Sequence, residues 1–174
     1  ASHVMLGCLG YLKGYTFGFD ALEDHWVKEQ VQLALHEAGD ALVAEHRFEP
    51  VAFQEHVDYL LLRFTNRSLA DPVDRLARDI LRKLAPGDRL VGAARLALKH
   101  GIRPEGLSLG IAAGLLYDNE QDPHAVELQE KIRKEGFAAA LREVCEIDEN
   151  EELGKMVAER CEDLQNQMKT TKRG

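Results

Sequence analysis

The sequence predicts an all-α fold, and three observations support this prediction. Apolar residues recur at spacings of three and four through most of the chain, as on one face of a helix. Prolines and glycines lie where helices would begin and end. No segment alternates apolar and polar residues long enough for a strand, and no Asn-Gly or Asp-Gly hairpin turn occurs. We therefore expect roughly seven to nine helices and essentially no sheet.

The first part of the chain contains two predicted helix starts. Asp20 followed by Glu23 is a capping-box pattern. The helix predicted after it has an apolar face made of Val27, Val31, Ala34, Ala38 and Leu42. Pro50 suits a first helical position because its missing N–H is not needed there. The stripe predicted for that second helix consists of Val57, Leu60, Leu61 and Phe64.

The second part shows clearer helix boundaries. Asp71-Pro72 and Asp122-Pro123 each pair an N-cap acceptor with a proline. Gly101 and Gly136 lie where helix C-caps are expected. Asn150 is the expected cap of a last helix, whose apolar residues are Leu153, Met156, Val157, Cys161, Leu164 and Met168.

The composition indicates one soluble globular domain over residues 1–174. Hydrophobic residues make up 45% of the chain and charged residues 30%, and no apolar run approaches the length of a membrane span. The net charge of -8 argues against nucleic-acid binding. No signal-peptide pattern opens the chain, and its three cysteines lack CxxC spacing. We therefore expect a cytoplasmic protein without a disulfide framework or zinc site.

The charge is unevenly distributed along the chain. The segment 63–89 holds seven basic and four acidic residues, whereas 118–162 holds fourteen acidic and six basic ones. On a helix that begins near Pro72, Arg75, Arg78 and Arg82 would share one face, opposite an apolar face. This arginine face is either solvated and paired with local aspartates, or an anion site, because guanidinium groups match phosphate oxygens.

Other patterns point to packing rather than chemistry. Two sets of glycines have helical spacing among apolar neighbours, which favours close helix–helix packing over approach to a ligand. They are Gly7, Gly10 and Gly14, and Gly106, Gly110 and Gly114. No HExxH motif is present, so we expect no metal. The sequence also lacks a GxGxxG motif, a P-loop and a nucleophile elbow.

The basic segment resembles a known family. The run 75–90, RLARDILRKLAPGDRL, is similar to the R-x-x-R-D-P-L-R-K-L-x-x-x-D-R-L signature of mannitol-1-phosphate 5-dehydrogenases. Further matches follow the family's order at 9–15 (LGYLKGY), 63–66 (RFTN), 110–113 (GIAA) and 117–119 (YDN). The resemblance covers only the family's C-terminal domain, a multi-helix fold of the 6-phosphogluconate dehydrogenase C-terminal-like type. Ile80 replaces the usual proline, Ala77 a glycine and Arg67 a common proline, so we expect a more continuous helix around Arg78.

The resemblance implies a two-domain oxidoreductase. An N-terminal Rossmann domain would bind NAD, and this helical domain would close the substrate cleft. Mannitol 1-phosphate and fructose 6-phosphate would be interconverted by hydride transfer without a metal. The general base would be the lysine of a Lys-x4-Asn-x2-His motif. The lysine and asparagine of this motif would precede residue 1, and His3 would be its last member. An N-terminal expression remnant is the alternative origin of His3. Without the cofactor domain and the base, the 174-residue chain is expected to be inactive.

The same resemblance implies a set of substrate-binding residues. Arg75 and Lys83 would form a substrate-facing basic pair, with Arg82 as a competing alignment for Lys83. We expect His3, Arg75, Arg82 and Lys83 to seat the sugar phosphate, and Arg78 to be structural. Two other functions remain open. One is a free-standing interaction or regulatory domain that binds a partner through its acidic second half. The other is a relative that acts on an unphosphorylated polyol or a hexuronate.

Overall fold

The computed structural model describes residues 1–49, 55, 57, 59 and 62–171, and these form helices joined by short turns. The helices are α1 (Ser2–Leu12), α2 (Gly18–Glu23), α3 (His25–His46), a 3-10 helix (Arg67–Leu69), α4 (Val73–Ala77), α5 (Ile80–Lys83), α6 (Val91–Lys99), α7 (Glu105–Leu115), α8 (Pro123–Glu135), α9 (Phe137–Cys145) and α10 (Glu152–Thr171). Residues 55, 57, 59 and 62–64 are helical as well. Within these ranges the β-pairing is a single bridge between Phe17 and Pro72, so the all-α prediction is confirmed.

Helices α1 and α7 form the centre of the core. Most of α1 is buried, and in α7 every residue from Gly106 to Leu115 is buried. Helix α1 packs against α4, α3 and α7, and α7 packs against α10 and α3. A helix that is apolar on all sides must be covered on all sides, which explains why these two lie inside the others.

The glycines of α1 and α7 allow close helix contacts, as predicted. A Cβ added to Gly7 would lie 2.6 Å from the Ala77 nitrogen, and one added to Gly106 would lie 2.6 Å from the Ala34 nitrogen. Gly14 differs because nothing lies within 4 Å and its φ of +80° ends α1 in the left-handed region.

The start of α3 was predicted incorrectly. Asp20 lies inside α2, and the N-cap of α3 is Asp24, whose carboxylate accepts from the Val27 amide at 3.2 Å. The same carboxylate accepts from the Tyr15 hydroxyl at 3.0 Å and pairs with Lys13. These residues of the preceding segment fix Asp24 as the cap, and the local capping-box pattern could not include them.

The predicted boundaries around α8 are confirmed. The Asp122 side chain accepts from the His124 amide, and Gly136, with φ of +91°, ends the helix. The predicted caps at Asp71 and Asn150 are wrong. Asp71 accepts from the Arg75 side chain instead, and the Asn150 amide donates to Asp148 two residues before α10 begins.

The helix predicted from Pro50 lies partly outside the described residues, as do Leu60 and Leu61 of its apolar stripe. Of the other two stripe residues, Val57 is buried and Phe64 packs against the core. No helix in the described ranges has both the length and the apolar character that crossing a bilayer requires.

All three cysteines are buried free thiols. Burial raises the pKa of Cys8, Cys145 and Cys161 to about 12. Since the thiolate is the nucleophilic form, these side chains serve packing rather than chemistry near neutral pH.

Candidate functional site: a basic junction between two short helices

The single helix predicted to carry Arg75, Arg78 and Arg82 is broken in the structure. Helix α4 ends at Ala77, Arg78 is extended with ψ of 147°, and Asp79 has φ of +71° before α5 begins. The expected continuous helix around Arg78 is therefore wrong. Aspartate enters the left-handed region more readily than most residues, so the break falls at a position that tolerates it.

Asp79 is held in this conformation by three interactions, one with the N-cap of α8 and one with its first turn. Its amide donates to the Asp122 carboxylate at 3.1 Å, and one carboxylate oxygen lies 2.6 Å from the ring of His124. The other oxygen accepts from Arg82 at 2.7 Å. Because tertiary contacts fix both the backbone and the side chain of Asp79, the turn does not depend on a glycine or proline.

Arg82 is paired with two aspartates. Its Nε donates to Asp79 at 2.7 Å, and its Nη1 lies 3.4 Å from Asp88. Asp79 is the main reason that the pKa of Arg82 lies above its usual range. Of the four predicted site residues, Arg82 is thus the one that local carboxylates neutralise most fully.

Lys83 is buried, with 7% of its surface exposed. Its Nζ donates to the Leu76 carbonyl oxygen at 2.7 Å, and no carboxylate of the described residues pairs with it. Burial lowers the pKa of Lys83. An ammonium has three N–H donors, and the described residues supply one hydrogen-bond acceptor to it, the Leu76 carbonyl oxygen.

Arg75 is exposed and lies at the edge of a cavity. Its Nη1 donates to Asp71 at 2.8 Å. The cavity has a volume of about 260 Å³ and is lined by Arg78, Tyr117 and Asn119, among others. The structure therefore places Arg75 next to open space, with one side of its guanidinium paired.

His3 lies in the first turn of α1 and packs edge-on against the Phe64 ring, at 4.4 Å between centroids. It lines a small cavity together with Arg63, Asn66 and Asp71. Desolvation is the main reason that the pKa of His3 is lowered, and the positive charges of the N-terminus and Arg63 lower it further. A neutral imidazole of this kind can donate or accept a hydrogen bond at a hydroxyl group.

Asp71 and Leu76 connect three of the predicted site residues, which are His3, Arg75 and Lys83. Asp71 lines the cavity of His3 and accepts from Arg75. Leu76 lines the same cavity, and its carbonyl accepts from Lys83. We name the group His3, Arg75, Arg78 and Lys83 the basic junction. Arg82 points to its own pair of aspartates instead.

Arg63 and Arg78 were not among the predicted site residues. Each lines a cavity that a predicted site residue also lines, Arg63 with His3 and Arg78 with Arg75. Both lie in the basic segment and in the sequence runs that resemble the family, so the sequence did contain a reason to consider them as site residues. Local sequence could not show which arginines the aspartates would neutralise.

The described residues do not bring together three His, Cys, Asp or Glu side chains that could hold a metal. Their helical architecture also contains no strand–turn–helix unit of the kind that binds a dinucleotide.

Comparison with known proteins agrees with this architecture. The family of the mannitol dehydrogenase C-terminal domain matches residues 1–165. The chain belongs to this family. The expected family and fold class are thereby confirmed for this mannitol dehydrogenase C-terminal domain.

Three curated relatives are named mannitol-1-phosphate 5-dehydrogenase. The one from Bacillus licheniformis is 40% identical over 155 residues, which are 89% of this chain and 41% of the relative. Those from Shouchella clausii and Thermoanaerobacter pseudethanolicus are 35% and 32% identical over 90% and 94% of this chain, and 42% of each relative. The chain thus spans about two fifths of the length of these relatives.

Proposed function

We propose that this domain is the substrate-binding part of an NAD-dependent oxidoreductase that interconverts mannitol 1-phosphate and fructose 6-phosphate. The names of the three relatives support this function. The observation that carries it is Lys83, a buried ammonium with one carbonyl acceptor, in a junction that also holds Arg75 and His3. A phosphorylated polyol combines the anion and the hydroxyl groups that such a set of donors would bind.

Each side chain of the site has a physical role in this proposal. Arg75 donates to phosphate or hydroxyl oxygens with the part of its guanidinium that Asp71 does not use. Lys83 contributes a positive charge from its buried position. His3 hydrogen-bonds an oxygen of the substrate. Arg82 has the smallest part in phosphate binding, since Asp79 and Asp88 hold its donors and neutralise its charge.

NAD would be held by an N-terminal Rossmann domain that packs against this one. When bound, its nicotinamide ring accepts or supplies the hydride. The described residues of this chain offer no dinucleotide-binding unit, so we assign none of them to the cofactor. The role of this domain is to hold the polyol against that ring, since orientation supplies much of the rate of such a transfer.

The test is the substitution Arg75→Ala in the enzyme that carries this domain. We expect the KM for mannitol 1-phosphate to rise about 10- to 100-fold, the effect of losing hydrogen bonds to a charged group. Steady-state kinetics with NAD checks this value. Arg142→Ala, on the exposed surface of α9, is the matched control and should leave KM unchanged. An unchanged KM in Arg75→Ala would remove this residue from the site. Turnover of mannitol but not of mannitol 1-phosphate would contradict the proposed substrate.

A further inference from the structure

Two guanidinium groups line one cavity beside the break between α4 and α5. Arg75 and Arg78 both border the open space of about 260 Å³, together with Tyr117, Asn119 and Gln121. Arg75 is paired with Asp71. The guanidinium of Arg78 makes no hydrogen bond or ion pair with any residue that the structure describes. Two guanidinium groups at the edge of one cavity repel each other, and a bound anion would relieve that repulsion.

The acidic residues at the cavity do not neutralise Arg78. Asp122 is 6% exposed, and its two oxygens accept from the amides of Asp79 and His124. Asp74 is exposed and forms no ion pair within the described part of the chain. Among the described residues, Arg78 thus lines the cavity without a bonded counterion, although four other arginines of the segment 63–89 have one, namely Arg67, Arg75, Arg82 and Arg89.

The backbone places Arg78 at the cavity at a cost. A non-glycine residue with φ of +71° follows it, and such conformations persist only where the surroundings impose them. The contacts of Asp79 with Asp122, His124 and Arg82 impose this one. Asp79 is thus a positioning residue, because the turn that it forms takes Arg78 out of helical register at the edge of the cavity.

We propose that Arg78, with Arg75, holds the phosphomonoester of the substrate and thereby selects phosphorylated over free polyols. This inference rests on the proposed function and replaces the structural role first expected for Arg78. Two guanidinium forks match the oxygens of a phosphate dianion. The amides of Asn119 and Gln121 offer donors and acceptors to the neighbouring hydroxyl groups.

The kinetic test compares Arg78→Gln with Arg142→Gln in the enzyme that carries this domain. We expect Arg78→Gln to raise the KM for mannitol 1-phosphate about 10- to 100-fold, because it removes charge-assisted hydrogen bonds. The KM for unphosphorylated mannitol and for NAD should stay within about twofold, since neither would use these donors. Arg78→Lys keeps the charge but loses the paired N–H donors of the guanidinium. Its KM for mannitol 1-phosphate should lie between those of Arg78→Gln and Arg142→Gln. Equal rises for both polyols, or a raised KM for NAD alone, would overturn the inference.

A second measurement is independent of turnover. Titration of the 174-residue chain with inorganic phosphate, followed by calorimetry, should show binding that Arg78→Gln weakens at least about tenfold and Arg142→Gln does not. Equal phosphate affinity in both variants, or none in the wild type, would overturn the inference whatever the enzyme's activity. An enzyme that acts only on free polyols, with phosphate binding still dependent on Arg78, would refute the proposed function instead. Both variants should melt like the wild type, since no described contact of the Arg78 side chain is lost.

Discussion

The centre of the domain and the basic junction are built on opposite principles. In the centre, α1 and α7 are apolar and buried, and glycines bring backbones within van der Waals contact. At the junction, a left-handed aspartate, a buried lysine and exposed arginines lie within a few residues of one another. The first arrangement stabilises the fold, whereas the second places cationic side chains and a strained residue beside an open cavity. Mutations in the centre should therefore lower the stability of the fold, whereas mutations at the junction should mainly weaken ligand binding.

The largest effect should come from the centre. A Cβ at Gly106 would lie 2.6 Å from the Ala34 nitrogen and 3.0 Å from its Cα, and backbone atoms cannot move aside as a side-chain end can. We expect Gly106→Ala to lower the free energy of unfolding by about 3 kcal/mol, a value typical of overpacking. Urea denaturation measures this change.

Gly87→Ala is the control for that substitution. Gly87 is exposed and nothing lies within 4 Å of a Cβ built there, so its effect should stay within about 0.5 kcal/mol. Equal destabilisation by the two variants would mean that close approach of α3 and α7 is not what requires glycine at position 106.

At the junction we expect the reverse behaviour from Lys83→Met. Loss of the buried ammonium removes a desolvation cost, which offsets the lost hydrogen bond to Leu76, so stability should change by about 1 kcal/mol or less. Mannitol 1-phosphate binding should nevertheless weaken about tenfold or more. Equilibrium unfolding of the 174-residue variant and steady-state kinetics of the enzyme that carries this domain separate the two effects.

The pH dependence of this variant provides a second readout. The pKa of Lys83 is lowered in the folded protein by burial, so the folded state binds fewer protons than the unfolded state as pH approaches 10.5 from below. The wild type should gain stability relative to Lys83→Met across that range. A constant difference between the two proteins would show that the ammonium is not desolvated as described.

The smallest effect should come from an ion pair outside both regions. Lys99 and His100 lower the pKa of Glu45 from 4.5 to about 2. The stability that this carboxylate contributes is therefore present above about pH 4.5 and is lost as the pH falls through 2. Glu45→Gln should flatten the acid limb of the stability curve slightly, and more at low salt than at high salt. Glu127→Gln, at an exposed glutamate of α8, should leave that limb unchanged.

Some boundaries were predictable because their causes are local. Asp122-Pro123 begins α8 and Gly136 ends it, since one or two residues suffice to cap a helix. The cap of α3 was misplaced because Tyr15 and Lys13 help to fix Asp24. Among the predicted site residues, the surroundings of His3 are connected with those of Arg75 and Lys83 through Asp71 and Leu76. Their roles remain predictions, and Arg82 lies outside that group.

The amino-acid sequence by itself determined that this chain is helical, where its apolar faces lie and to which family it belongs. These properties follow from residue spacing and motif, which neighbouring positions carry without reference to the rest of the fold. Only the tertiary structure decided that the helix breaks at Arg78–Asp79 and which arginines keep a free guanidinium. The physical reason is that Asp79 is held from α8, more than forty residues further along the chain, by Asp122 and His124.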